Sequence, residues 1–122
     1  MTMDPHPLAP ALAAAEEAGW TVLRLDLDGV RTKARLMDAC AQAFALPDWF
    51  GRNWDALADC LGDLSWLPGA AGRLVAVTGW QELERARPGD WEVLREVLEE
   101  AGAYWRESEG PPLEVVVAAA RP

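Results

Sequence analysis

Three short runs constrain this chain more than any other feature. Trp20 to Leu27 (WTVLRLDL) alternates apolar and polar residues and reads as a strand. Arg73 to Thr78 (RLVAVT) is a compact apolar run that reads as a buried strand, and Leu113 to Ala118 (LEVVVA) is a third strand. Segments of helical pattern lie between them. Strands separated by helices imply a parallel sheet, because a parallel neighbour is reached through a crossover of a dozen or more residues, usually a helix. The expected fold is therefore α/β, a small three-stranded parallel sheet packed with helices and joined by right-handed crossovers. At 122 residues the chain suits one domain with one core.

The helical segments carry start and stop signals. Residues 1–8 read as a loose leader, and Ala9 to Ala18 as an Ala- and Glu-rich helix that stops at Gly19. Residues 1–19 are thus set apart as an N-terminal leader from a domain spanning 20–122. Asp28-Gly29 marks a turn. Thr32 can cap a helix to about Ala45, with Leu36, Ala39, Cys40, Ala43 and Phe44 on its apolar face. Leu46-Pro47 closes that helix, since the residue before proline is pushed away from helical geometry. Asn53 is positioned to cap a helix from Trp54 to about Leu64. Gln81 to Arg87 forms a brief helical turn before Pro88-Gly89. Asp90 then caps a helix to about Ala101, and residues 102–112 read as a polar loop.

Charge narrows the functional classes. Twenty acidic residues against eleven basic ones give a net charge of −9. Nucleic-acid phosphates and anionic membranes repel such a chain, whereas a basic protein is drawn to it. Direct nucleic-acid binding and membrane insertion are not expected, and no apolar stretch is long enough to span a bilayer. The N-terminus lacks the basic start and apolar core of a secretory signal, and Cys40 and Cys60 alone cannot build a disulfide scaffold. A reduced, cytoplasmic location follows. The only histidine is His6, so a histidine metal site or a Ser-His or Cys-His pair is hard to assemble. No glycine-rich phosphate loop follows a strand. The chain is read as a non-enzyme, with no catalytic residue, metal ligand or cofactor assigned. An acid/base pair of Asp55 and Asp59 is the weakest alternative, because it needs a pocket and the helix pattern predicts a convex face.

The most informative stretch is residues 46–63, LPDWFGRNWDALADCLGD. On a helical wheel Trp54, Leu57, Cys60, Leu61 and Leu64 share the side that faces the core. Asp55 and Asp59 fall on the opposite side, stacked one turn apart. Like charges at that spacing cost an isolated helix a few tenths of a kcal/mol. Taken alone the pair is unremarkable, since an acid near a helix start is favoured by the dipole and exposed carboxylates are common. Trp49 and Phe50 shift the balance, because aromatics on a loop beside an acidic helix face form a binding edge. Phe50 is expected to turn inward over Leu57, while Gly51 leaves the backbone open to close approach. Residues 48–63 hold four acids against Arg52, and residues 90–100 hold five against Arg95. Together they supply seven of the nine net negative charges. Side by side, these segments present a focused acidic face.

The run ALPDWFGRNWDALADCL closely resembles the signature of the barstar family, intracellular inhibitors of secreted ribonucleases. Weaker similarity continues through VTGWQ (Val77 to Gln81) and the helix over 93–101. The resemblance implies that the helix from Trp54 and its preceding loop plug a nuclease active site without chemistry or cofactor. On that pattern Asp59 is the main anchor, standing in for an RNA phosphate opposite catalytic Arg or His side chains, and Asp55 adds a second charged contact. Trp49 stacks on a catalytic residue, and Gly51 and Asn53 supply close backbone and polar contacts. Glu99 or Glu100 matches a further acidic contact. The sequence departs from the pattern at Ala58, where the best-known member has tryptophan, and in the longer stretch GDLSWLPGAAG after Leu61. The expected function is thus a cytoplasmic ribonuclease inhibitor, an antitoxin or immunity protein that is monomeric when free. The alternative is a barstar-like regulatory module that binds a basic protein other than a nuclease.

Overall fold

A computed structural model describes residues 5–119. The elements run α1 (Leu8–Glu17), β1 (Thr21–Asp26), α2 (Lys33–Ala43), α3 (Trp54–Leu61), β2 (Arg73–Thr78), α4 (Gln81–Ala86), α5 (Pro88–Glu107) and β3 (Leu113–Val117). The strands form one sheet in the order β1-β2-β3, with both pairs parallel. Leu23 of β1 lies level with Val75 of β2, which lies level with Val115 of β3. The expected three-stranded parallel α/β architecture is what forms.

The two faces of the sheet do different work, because successive side chains alternate between them. Leu23, Leu25, Val75, Val77, Leu113 and Val117 enter the main core, with Leu36, Met37, Cys40 and Phe44 from α2 and its C-cap. The same core takes Leu57, Cys60 and Leu61 from α3 and Trp91, Leu94 and Leu98 from α5. The other face presents Leu74, Ala76 and Val116, which α1 covers with Ala15 and the half-buried Leu8, Ala11 and Leu12. Central β2 is buried from Arg73 through Val77, as its unbroken apolar run predicts. Arg73 itself is satisfied at its end by the Pro68 carbonyl, 3.0 Å away.

Several local expectations are met. The Thr32 hydroxyl accepts from the Arg35 amide at 3.2 Å, and Asn53 Oδ1 accepts from the Ala56 amide at 2.8 Å, so both caps form. Phe50 is buried, as the inward reading required. The end of β2 is fixed by Gly79, at φ 65°, where a Cβ would stand 2.6 Å from the Asp28 amide nitrogen. No side chain fits between those two loops.

Others are corrected. Residues 5–8 are not a loose leader: the His6 amide donates to the Val117 carbonyl at 2.9 Å, and the Ala119 amide donates to His6 at 2.7 Å. Residues 1–4 lie outside the described residues. The second helix stops at Ala43 and the third at Leu61, each short of its expected end, with Ala45 and Leu64 in left-handed backbone at φ 49° and 54°. The last helix differs most. It begins at Pro88, because proline's missing N–H is no loss at the first helical position. Asp90 is not its cap; it lies in the first turn and pairs with Arg87 Nε at 2.8 Å. Nor does the helix stop at Ala101. Gly102 is buried within the helix, where a Cβ would lie at ordinary contact distance, 3.4 Å, from the Leu113 carbonyl oxygen of β3. The true loop is only residues 108–112.

Candidate functional site: the outer face of the third helix

The chain enters α3 through a short tight loop. The Phe50 amide donates to the Pro47 carbonyl at 2.9 Å, closing a turn that sends Phe50 inward and leaves Trp49 outside. Trp49 is 67% exposed, the most exposed large apolar side chain among the described residues. Its ring meets Trp66 edge to face at 6.0 Å between centroids, a contact that favours this setting of the ring. Trp66 is fixed in turn, its indole N–H donating to the Phe44 carbonyl at 2.9 Å. The longer stretch after Leu61 thus buttresses the exposed aromatic.

Arg52 has left-handed backbone at φ 57° and reaches away from the acidic helix. Its guanidinium pairs with Asp38 of α2 and donates to the Ala34 carbonyl at 3.2 Å. The one basic residue of this loop therefore neutralises an acid of another helix. Asn53 caps α3 with its Oδ1, while its Nδ2 donates to the Gly51 carbonyl at 3.3 Å, so one side chain orders both the loop and the helix start. Gly51 and Asn53 are both exposed.

The helix then separates its faces as the wheel predicts. Leu57, Cys60 and Leu61 are buried, and Asp55, Ala58 and Asp59 are exposed. Asp55 occupies the first turn, where the helix dipole favours its charge. Trp54 is half-buried, with the Lys33 ammonium 5.8 Å from its ring centroid. Burial and the neighbouring carboxylates of Asp59 and Asp63 push the Cys60 thiol pKa up. Cys40 and Cys60 are both free and buried.

Helix α5 packs alongside α3, and its rotation decides which acid joins this face. Glu100 is exposed and borders a cleft with Asp59, while Glu99 turns toward β3 and lines a separate cavity with Arg106 and Glu114. The structure therefore brings together Trp49, Gly51, Asn53, Asp55, Asp59 and Glu100 around α3, and leaves Glu99 apart. One surface residue escaped the sequence reading. Tyr104 is 55% exposed at the end of the same cleft. Its spacing of four from Glu100 identifies it once the helix is carried past Gly102.

Among the described residues no group of three His, Cys, Asp or Glu side chains could hold a metal ion. No helix among them is long and apolar enough to cross a membrane. What the arrangement offers is an exposed acidic surface on a helix whose other side is buried in the core, with an exposed aromatic on the loop before it. No curated protein matches the chain. Residues 20–118 match the family described as barstar (barnase inhibitor), which takes in every strand and all the helices but α1, and the chain belongs to that family.

Proposed function

We propose that this protein inhibits a ribonuclease by seating the outer face of α3 and the Trp49 loop in the enzyme's basic active site. The observation that carries the reading is the pair Asp55 and Asp59, exposed one turn apart on a helix whose other side is locked in the core. A nuclease site is built to hold phosphate, and carboxylates on a rigid helix can meet the same cationic groups without reorganising. Asp59 is the central anchor and Asp55 the second charged contact. Trp49 contributes an apolar ring already held by Trp66, and Gly51 and Asn53 form the polar rim between them. Glu100 is taken as the acidic contact from α5 rather than Glu99, because only Glu100 shares a cleft with Asp59. Family membership supports a ribonuclease-type partner in general. On this reading the protein is a cytoplasmic monomer when free and guards the producing cell against its own secreted nuclease. Residues 1–19 are an addition to the family domain.

The test is capture of partners from the producing organism's lysate and culture fluid on the wild-type protein beside Asp59→Ala, with ribonuclease activity assayed before and after release. A basic ribonuclease retained by wild type only, and active only once released, is the expected result. An Asp59-dependent partner without nuclease activity would reassign the protein as a regulatory module acting through the same face.

A further inference from the structure

Helix α2 packs on β1 and α3 packs on α5, so the two helices have separate supports in the body of the fold. Side chains nevertheless tie the first half of α2 to the residues that begin α3. The Arg52 guanidinium pairs through Nη1 with Asp38 and donates through Nη2 to the Ala34 carbonyl at 3.2 Å. Two residues on, the Lys33 ammonium stands 5.8 Å from the centroid of the Trp54 ring. Residues 52 and 54 flank Asn53, whose side chain caps α3 and bonds back to Gly51. The cap is thus held on both sides by a helix that lies outside the proposed binding surface.

This tie has something to restrain. Arg52 sits in left-handed backbone at φ 57°, a region where an L side chain crowds the following carbonyl. A residue other than glycine stays there only where its surroundings over-determine it. Room is short beside it as well: a Cβ on Gly51 would stand 3.2 Å from Asn53 Nδ2 and 3.4 Å from Ala56 Cβ. The loop therefore lies close on the first turn of α3, and a change of backbone at residue 52 moves its neighbours. The Arg52–Asp38 pair is about half exposed, and such a pair alone stabilises little. Arginine's planar fork adds the Ala34 bond from the same head group, whereas a lysine ammonium has no such fixed fork.

From this geometry we infer that α2 clamps the binding loop. Asp38 and the Ala34 carbonyl hold residue 52 in its left-handed setting, Lys33 steadies Trp54, and Asn53 is so placed to start α3. Asp38 is a positioning residue for the surface that carries Trp49 and Asp55, although it lies outside that surface. The inference rests on the partner-binding reading only for what the clamp serves, and the clamp itself is tested without a partner.

Amide hydrogen exchange is measured residue by residue by NMR on the full-length protein. The Phe50 amide donates to the Pro47 carbonyl, Ala56 to Asn53 Oδ1 and Leu57 to the Asn53 carbonyl, so these three report the loop and the helix start. The Leu36 amide, bonded to the Thr32 carbonyl, reports α2 itself. Asp38→Asn should quicken exchange at the first three about two- to fivefold, the range that one exposed ion pair gives, with Leu36 and the β2 amides unchanged. Arg52→Lys should fall between wild type and Arg52→Ala. Arg52→Ala should loosen the loop more than Arg52→Gly, because alanine keeps the left-handed strain and glycine relieves it. Unchanged exchange at Phe50, Ala56 and Leu57 in Asp38→Asn, equal quickening at Leu36 and β2, or a looser loop in Arg52→Gly than in Arg52→Ala overturns the inference. Where a ribonuclease is captured, Asp38→Asn should hasten its release by a similar factor, and unaltered release beside quickened exchange would deny Asp38 its positioning role. Quickened exchange with no partner captured would keep the clamp and discard the inhibitor reading. Capture with unchanged exchange would do the reverse.

Discussion

At the scale of single residues, α3 assigns opposite duties to neighbours. Leu57 and Leu61 are fully buried, whereas Asp55 and Asp59 are exposed. Leu57→Ala is expected to cost about 2–5 kcal/mol of stability, because it removes buried methyl groups and leaves a cavity that the helices can only partly close. Asp59→Ala should change stability by no more than about 0.5 kcal/mol, as a surface substitution does, while it weakens capture of the partner. Urea denaturation of the two variants separates them, and a large stability loss in Asp59→Ala would remove it from the list of contacts. Cys40 gives a second prediction at this scale. Burial pushes its thiol from the ordinary 9.0 up to about 12. The native state therefore keeps a proton that the unfolded thiol has already lost above pH 9. Its contribution to stability is complete below that value and is lost as pH rises toward 12. Denaturation midpoints measured across the alkaline range should fall more steeply in wild type than in Cys40→Ala. Parallel slopes would show that this burial has no energetic consequence.

At the scale of elements, α3 depends on its first residue more than a longer helix would. It spans Trp54–Leu61, and an isolated helix of that length is not stable in water. Asn53 supplies both the cap, through Oδ1 to Ala56, and a brace on the loop, through Nδ2 to Gly51. Asn53→Ala should cost about 0.5–2 kcal/mol. Asn53→Asp keeps the cap acceptor and should restore most of that stability while removing the brace. Partner binding that recovers with stability would make Asn53 a helix cap only, and binding that stays weak in Asn53→Asp would place the amide in the interface. Both caps were legible because Thr32 and Asn53 stand directly before periodic apolar runs, and the strands because the first alternates apolar and polar residues and the other two are short apolar runs. The start and end of α5 were not. Pro88, Gly89 and Gly102 read as punctuation, yet proline suits the first helical position and Gly102 lies buried inside the helix, covered by β3. Glu99 and Glu100 differ by one residue, about 100° around the helix axis, and only the packing of α5 on α3 fixes that rotation. The pairing of His6 with Val117 and Ala119 lies equally beyond sequence reading, since it joins segments far apart in the sequence with no local signal.

At the scale of the whole molecule, the fold places charge as well as shape. Helix α1 covers the sheet face bearing Leu74, Ala76 and Val116, so the opposite layer of α2, α3 and α5 is free to carry the polar surface. Within that layer α3 and α5 lie side by side. The acidic segments of residues 48–63 and 90–100 therefore lie on neighbouring elements, with Glu100 beside Asp59 and Glu99 turned off the shared face toward β3. Arg52 is drawn off that face by Asp38, which leaves the potential near Asp59 less screened by the chain's own cations. Such a face attracts a cationic partner over distances set by the Debye length, about 10 Å at 0.1 M salt and about 3 Å at 1 M. Contacts made after docking exclude water and feel salt much less. The association rate with the captured basic partner should thus fall at least about tenfold from low ionic strength to 0.5 M salt, with the dissociation rate nearly constant. Glu96→Gln, at an exposed position outside the cleft, should slow association modestly and leave dissociation unchanged. Stopped-flow mixing across a salt series measures both rates. A salt effect confined to dissociation would mean that these charges act only in contact and that the fold's gathering of acids on one side gives no steering.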